Sequence, residues 1–405
     1  MNYKHLFCII LFACLSQSGY SQIVPWRNLF QRQQTQQQIP TIEVNPSRIS
    51  YGNVRLSDII ESIEYIPLET TDESLIGWIS SFDISNNYIV VNCMSQNQVF
   101  LFSRDGRFIR RIGRQGQGPG EYTRGVLGVF IDEKRDRIFV TTFYYQQAIL
   151  TYNLRGEFIG NMPTEPGRVG FQRLHNDHFL IHNSLPFGSP FAYEIRDLDF
   201  QLIAESVQND LYGIPFTGLT TMGRHTNYLF NDKIHVRNMA VNDTIFSIER
   251  DFSFTPRFIV NAGSRTPTID MIATSHSPEQ RDAFWRRMQR YVSIHSIYQT
   301  ANKLLFLYNF QDRIRYTYFD KNTERLFHFR SESGIPNDFD GGVDFWPRRQ
   351  DNLIWYQFFD AYYLIENSGG IAPTGGAEAV RSFNRLIERL EPDDNPVLMI
   401  VRLRE

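Results

Sequence analysis

The chain has 405 residues, with 41 Lys plus Arg against 44 Asp plus Glu, for a formal net charge of −3. That balance excludes the basic footprint of a nucleic-acid binder, and beyond residue 22 no apolar run approaches the roughly 20 residues of a membrane helix. Aromatic residues make up 14% of the chain, with 33 Phe and 20 Tyr, which leans toward β structure built on a large core.

Residues 1–21 read as an export signal. Lys4 and His5 form the basic start, Leu6–Leu15 the apolar stretch, and Gly19 and Ser21 the small residues before a cut at Gln22. Leu11-Phe12-Ala13-Cys14 resembles a bacterial lipobox, with Phe12 where a small residue is usual, so a lipid anchor on Cys14 stands as the alternative to simple cleavage. Either route places the chain outside the cytoplasm, in the periplasm or at the cell surface. Of the three cysteines Cys8, Cys14 and Cys93, only Cys93 survives that cut, so no disulfide framework is expected. Cys93 follows the apolar run Tyr88–Val91 and reads as a buried structural thiol. Residues 22–40 contain the Gln-rich stretch 31–38 and read as a flexible linker, leaving 41–405 as the folded domain.

Within that domain one short strand recurs: Asn87–Val91, Asp136–Val140, Asp177–Ile181, Asp232–Val236, Asn302–Phe306 and Asp351–Trp355. A second strand follows each copy, at Val99–Phe102, Ile149–Tyr152, Tyr193–Ile195, Thr244–Ile248, Tyr316–Phe319 and Tyr362–Ile365. Asp105-Gly106 and Arg155-Gly156 then supply hairpin turns, because Gly and Asp tolerate the backbone of a tight turn. Asp320–Thr323 occupies the same place in the fifth unit. Sheets repeated at this period predict an all-β, six-bladed β-propeller, in which stacking buries both faces of each unit.

Two helices interrupt the pattern. Ser277-Pro278-Glu279-Gln280 is a capping box with Pro at the first helical position, and Phe284, Trp285, Met288, Tyr291 and Val292 carry helical spacing to about residue 293, between the fourth and fifth blades. Val380, Phe383, Ile387 and Leu390 mark a second helix, stopped by Pro392. The strand Val397–Val401 follows. With Glu64–Leu68 near the start, whose Pro67 suits an edge, it is expected to close the last blade, so that chain start and chain end share one sheet.

Ile112–Tyr122, with Gly113, Gly116, Gly118, Pro119, Gly120 and Glu121, resembles the G-x-x-G-x-G-P-G-E-[FY] signature of NHL-related propellers. More closely it resembles a six-bladed β-propeller family of Bacteroidetes, most of it of unknown function. Tyr65–Thr70, Asn242–Phe246 with Pro256–Phe258, and Asn395–Val401 extend the likeness over nearly the whole chain from about residue 55. The resemblance implies the fold and export, and it implies no catalytic residues.

Each candidate site has a plain structural reading beside it. The Gly116–Glu121 loop lacks the Lys-Ser/Thr of a phosphate loop and reads as a connector between blades, with Glu121 on neighbouring N–H groups. Asp338, Asp340 and Asp344, with Asn337 and Gly341-Gly342, form the best divalent-metal candidate, for an ion such as calcium, against the reading of a polar turn. His175, His178 and His182 could offer zinc ligands only if they converge; strand geometry separates His175 from His178, while His178 and His182 could share one face. Arg286, Arg287 and Arg290 form a solvated face of the inserted helix. The chain therefore reads as a monomeric binding module of the cell envelope for a glycan, peptide or partner protein. The alternative is a metal-dependent hydrolase or lyase with its site in the central channel, built from side chains of several blades.

Overall fold

The computed structural model describes residues 39–122, 125–142, 148–163, 168–174, 178–183, 189–208, 212–213, 226–237, 244–268 and 278–405. The expected signal, Cys14, the linker through residue 38, His175 and Asn242-Asp243 lie outside the described residues.

The chain opens with β1 (Thr41–Glu43), a single helical turn α1 (Leu56–Ile59) and β2 (Ile60–Pro67). Four separate antiparallel sheets of four strands follow the expected repeat. They are β3–β6 (Ile79–Ile84, Tyr88–Cys93, Gln98–Ser103, Phe108–Ile112) and β9–β12 (Val126–Asp132, Arg137–Thr142, Ala148–Tyr152, Phe158–Pro163). The other two are β13–β16 (Arg168–Arg173, Phe179–Asn183, Phe191–Arg196, Leu202–Gln208) and β21–β24 (Ser293–Gln299, Lys303–Phe310, Arg313–Asp320, Arg325–His328). Between the first two sheets, β7 (Arg114–Gln115) and β8 (Glu121–Tyr122) form a short parallel pair.

The remaining strands make one nine-stranded sheet. Its members are β1, β2, β17–β20 (Thr226–Phe230, Lys233–Arg237, Thr244–Ile248, Phe254–Asn261), β25 (Arg349–Asp351), β26 (Ile354–Phe359) and β27 (Val397–Leu403). Six separate blades are therefore not what the structure shows; four stand alone. The reason lies at one parallel pair, Leu229↔Asp351, which joins β17 to β25. Asn352 N–H donates to the Leu229 carbonyl at 2.8 Å, and Asn352 and Asp232 exchange two further bonds of 2.9 Å each.

Alternation along the strands explains why the sheets stack. On one side of the first sheet, Val90 and Leu101 pack with Val129, Ile131, Val140 and Leu150 of the second. On the other side, Ile89, Val91, Phe100 and Phe102 pack with Tyr356, Phe358, Leu398 and Ile400. A sheet apolar on both faces cannot stand alone in water, since each such side chain gains about 1.5–3 kcal/mol by burial. Phe130, Phe139 and Ile149 meet Phe179 of the third sheet, and Leu180 and Ile195 of that sheet meet Ile234 and Val236. Tyr228, Leu304, Phe306, Trp355 and Val401 carry the packing onward to the start. The result is a propeller-like ring of sheets.

Chain start and chain end do share one sheet. β2 pairs antiparallel with β27 from Ile60↔Leu403 to Pro67↔Val397, and β2 is the outermost strand at that end. Pro67, with no N–H to give, thus sits on an edge. A second tie was not foreseen: β1 adds parallel to β20, burying Ile42 and Val44.

Two elements differ from expectation. Tyr362–Ile365 is not a strand; it lies in α3 (Ala361–Asn367). Ala361 and Leu364 are buried at helical spacing while Tyr362 is 59% exposed, and β27 takes the place beside β26 that this segment would have filled. The inserted helix α2 (Pro278–Met288) ends before residue 293, because Ser293 already begins β21. Its Phe284 and Met288 are buried against Tyr291. The last helix, α4 (Ala377–Ile387), lays Phe383 on the Tyr65 ring of β2 at 5.2 Å.

Candidate functional site

The glycine-rich loop closes on itself. Glu121 Oε2 accepts the Gly118 N–H at 2.9 Å, and Arg114 Nε donates to Oε1 at 2.6 Å. These bonds hold the Glu121 carboxyl below its ordinary range. A Cβ at residue 116 would fall 1.9 Å from Glu121 Oε2, so only glycine lets the carboxylate fold over the loop. The anion that this cradle holds is the chain's own. Beneath it, the Tyr122 hydroxyl accepts from Val99 N–H at 3.2 Å and donates to the Ile112 carbonyl at 3.1 Å. Tyr152 donates to the Gly120 carbonyl at 2.9 Å. Gly113, Gly116, Gly118, Pro119, Gly120 and Glu121 thus form a connector clamped between the first and second sheets.

Asp338, Asp340 and Asp344 lie in one loop but turn to three sets of donors. Asp338 accepts the Ser57 N–H at 3.0 Å and the Ser57 hydroxyl at 2.8 Å, with the Arg55 guanidinium at 3.7 Å. Asp340 accepts from Tyr65 Oη at 2.9 Å, Asn337 Nδ2 at 2.8 Å and Gly342 N–H at 3.0 Å. Burial pushes the Asp340 carboxyl up despite those bonds, and burial followed by the Asp340 charge pushes the Tyr65 hydroxyl well above its usual range. Asp344 accepts from the Ser331 hydroxyl. A divalent ion could recruit the three carboxylates only by displacing Ser57, Tyr65 and Ser331. Among the described residues no group of three or more His, Cys, Asp or Glu gathers in metal-binding geometry.

His178 and His182 pack on different rings, Phe252 at 4.7 Å and Tyr193 at 4.8 Å. Arg286, Arg287 and Arg290 are exposed. Cys93 is buried, with its thiol 3.3 Å from Ser95 Oγ.

Polar side chains from several units do meet along the first strands of the sheets, which sequence spacing could not show. Asp83 of β3 pairs with Arg349 of β25, and its other oxygen accepts the Ile131 N–H of β9 at 2.8 Å. Arg349 Nε also donates to Asp351 at 2.9 Å. Burial raises the Asp83 carboxyl, and Arg349 and the Ile131 N–H only partly offset it. Burial works against the Arg349 charge, but Asp351 and Asp83 outweigh it and hold the guanidinium above its usual range. Nearby, Gln350 and Gln299 exchange two backbone bonds, Gln299 N–H to Gln350 Oε1 at 2.8 Å and Gln350 Nε2 to the Gln299 carbonyl at 2.6 Å. Tyr228 donates to Gln299 Oε1 at 3.0 Å. This network ties first strands together and uses its carboxylates in doing so.

With this architecture in view, the sequence matches over residues 39–402 the family described as a domain of unknown function, DUF4934. The chain belongs to that family. A comparison with curated proteins finds no match. Among solved structures, the DUF4934 chain resembles a candidate exported protein of Bacteroides fragilis NCTC 9343, with TM-score 0.67 and 18% identity over 91% of this chain and 100% of the other. A member of the DUF4221 family from Bacteroides vulgatus ATCC 8482 gives TM-score 0.49 and 10% identity over 85% and 97%. The β-propeller domain of Swd1 (Cps50) from Myceliophteria thermophila gives 0.39 and 11% over 62% and 74%. The first likeness shows the fold; the other two are too distant to carry an argument. Among the described residues of the DUF4934 chain no helix is long and apolar enough to cross a membrane.

Sequence reading missed an exposed indole among the described residues. Trp78, just before β3, is 53% exposed, Met94, just after β4, 49%, and Leu75, four residues before β3, 48%. Sequence alone cannot separate an exposed ring from a core ring, and most of the described aromatics are buried.

Proposed function

We propose that the chain is an exported ligand-binding ring of the cell envelope, without catalysis of its own, whose ligand is a glycan, a peptide or a partner protein. The observation that carries this reading is a contrast. The carboxylates that meet along the first strands are held by Arg349 and backbone N–H groups, while the apolar side chains of Leu75, Trp78 and Met94 stand in solvent. A catalytic centre needs polar groups free to meet a substrate; a binding rim needs exposed aromatic anchors. The export part rests on the signal-like residues 1–21 and on the B. fragilis neighbour. The reading includes a six-unit ring related to NHL propellers: the nine-stranded sheet holds two four-stranded runs, β17–β20 and β25–β26–β27–β2, whose ladder meets at the single pair Leu229↔Asp351.

The test is a screen of the purified protein on glycan and peptide arrays, with elemental analysis of the same sample after exchange into chelator-free buffer. Saturable binding with no retained ion is the expected result. One equivalent of divalent metal together with turnover of an ester, lactone or polysaccharide would overturn the reading in favour of a channel hydrolase or lyase.

A further inference from the structure

The inference rests on the binding reading above and names its site. Met94 N–H donates to the Trp78 carbonyl at 3.0 Å, one step beyond the ladder pair Ile79↔Cys93. Directly opposed residues of an antiparallel pair face the same side, so the indole and the thioether stand together on one face. Ser95 fixes the indole's backbone, its hydroxyl accepting the Trp78 N–H at 3.3 Å. The turn that follows Met94 is Ser95-Gln96-Asn97, and Ser95 and Gln96 are exposed. Asn97 Oδ1 accepts from Gly125 N–H at 3.1 Å and Val126 N–H at 3.3 Å, which brings the second sheet, with exposed Leu127, alongside.

The segment that carries Trp78 and Met94 is itself short of charge. From Leu75 to Gln98 the chain has one ionisable acid or base of the Asp, Glu, Lys or Arg kind, Asp83, and it is buried on Arg349. Half-buried Arg348 donates to the Ile79 carbonyl at 3.1 Å. An exposed indole and thioether bordered by hydroxyl and amide side chains, with Asp83 and Arg348 turned to protein partners, suits a ligand that has an apolar face and many neutral hydroxyls.

We propose that Trp78, backed by Met94 and flanked by Ser95 and Gln96, is a subsite for a neutral carbohydrate, with a pyranose ring lying on the indole. The indole supplies the apolar contact, and Ser95 and Gln96 supply exchangeable hydrogen bonds to ring hydroxyls.

The experiment is titration of the purified full chain with neutral hexasaccharides of β-1,4-glucan, α-1,4-glucan, xylan and mannan, in 0.1 and 0.5 M NaCl. Trp78→Ala and Trp78→Phe are run in parallel, with thermal unfolding as the control for folding. Because Trp78 is exposed, both variants are expected to unfold like the parent. The expected result is saturable binding of at least one neutral sugar, insensitive to salt, weakened roughly tenfold or more by Trp78→Ala and much less by Trp78→Phe. Sugar binding unchanged by Trp78→Ala would overturn this site while leaving the binding reading in place. Binding only of acidic oligosaccharides or peptides would overturn the ligand class. Failure of every array probe and hexasaccharide to bind would overturn both.

Discussion

Asn395 is the point where the chain's end grips its beginning. It is 2% exposed, and its side chain makes three bonds to backbone groups over 300 residues away. Oδ1 accepts the Ile76 N–H at 2.8 Å, and Nδ2 donates to the carbonyls of Glu69 at 2.7 Å and Ser74 at 2.8 Å. Alanine would remove all three. The Glu69 carbonyl lies on an exposed residue and can rehydrate, but Ser74 is fully buried and Ile76 half-buried. With a net bond worth about 0.5–1.5 kcal/mol and a stranded buried group costing about 1–3 kcal/mol, Asn395→Ala should cost about 2–4 kcal/mol. In a domain of this size that is a fall in Tm of roughly 2–5 °C. Urea and thermal unfolding measure it, with Asn367→Ala as control, since exposed Asn367 makes a single bond to the Tyr363 carbonyl. A loss no greater than that of the control would refute the latch.

Three further outcomes are expected. Gly116→Ala should destabilise by about 1–3 kcal/mol through the clash with Glu121, and adding Glu121→Ala should recover part of that loss in the same unfolding assay. Arg349→Met strands Asp83 and should cost about 2–4 kcal/mol, discounted from a fully buried pair because the Arg349 side chain is 31% exposed; Asp83→Asn in the same chain should restore part of it. His235 and His328 are each held down to about 4, chiefly by burial. Because the folded value is depressed, the stability is present above the unfolded value of about 6.5 and is lost as pH falls toward 4. Each should cost about 2 kcal/mol by pH 5. Denaturant titrations at pH 7 and pH 5 should show the drop, and His235→Gln should shrink it.

Much of the ring was written in local chemistry. The recurring strands, the Asp105-Gly106 turn and its counterpart at Gly156 each sit within a few residues of their partners, and each became a hairpin. The pairing of β2 with β27 was also legible, because both are apolar strands with no neighbour in their own repeat. Tyr362–Ile365 misled because aromatic and β-branched residues favour strands, while competition with β27, more than thirty residues later, decided the outcome. The Asp83–Arg349 pair spans 266 residues and left no trace in spacing. The three Asp of the 338–344 loop looked like ligands because their composition is visible, and their donors Ser57 and Tyr65 are not. Trp78 was passed over because exposure is a property of the ring as a whole.

The central claim is that the two ends of the domain form one sheet, on which the ring and its rim depend. Hydrogen exchange followed by mass spectrometry tests it directly on the purified chain. The account expects the amides of β27, paired on both sides by β26 and β2, to exchange as slowly as those of β4, and β2 to be protected on its β27 side. Exchange of both segments within seconds, while β4 stays protected, would contradict it.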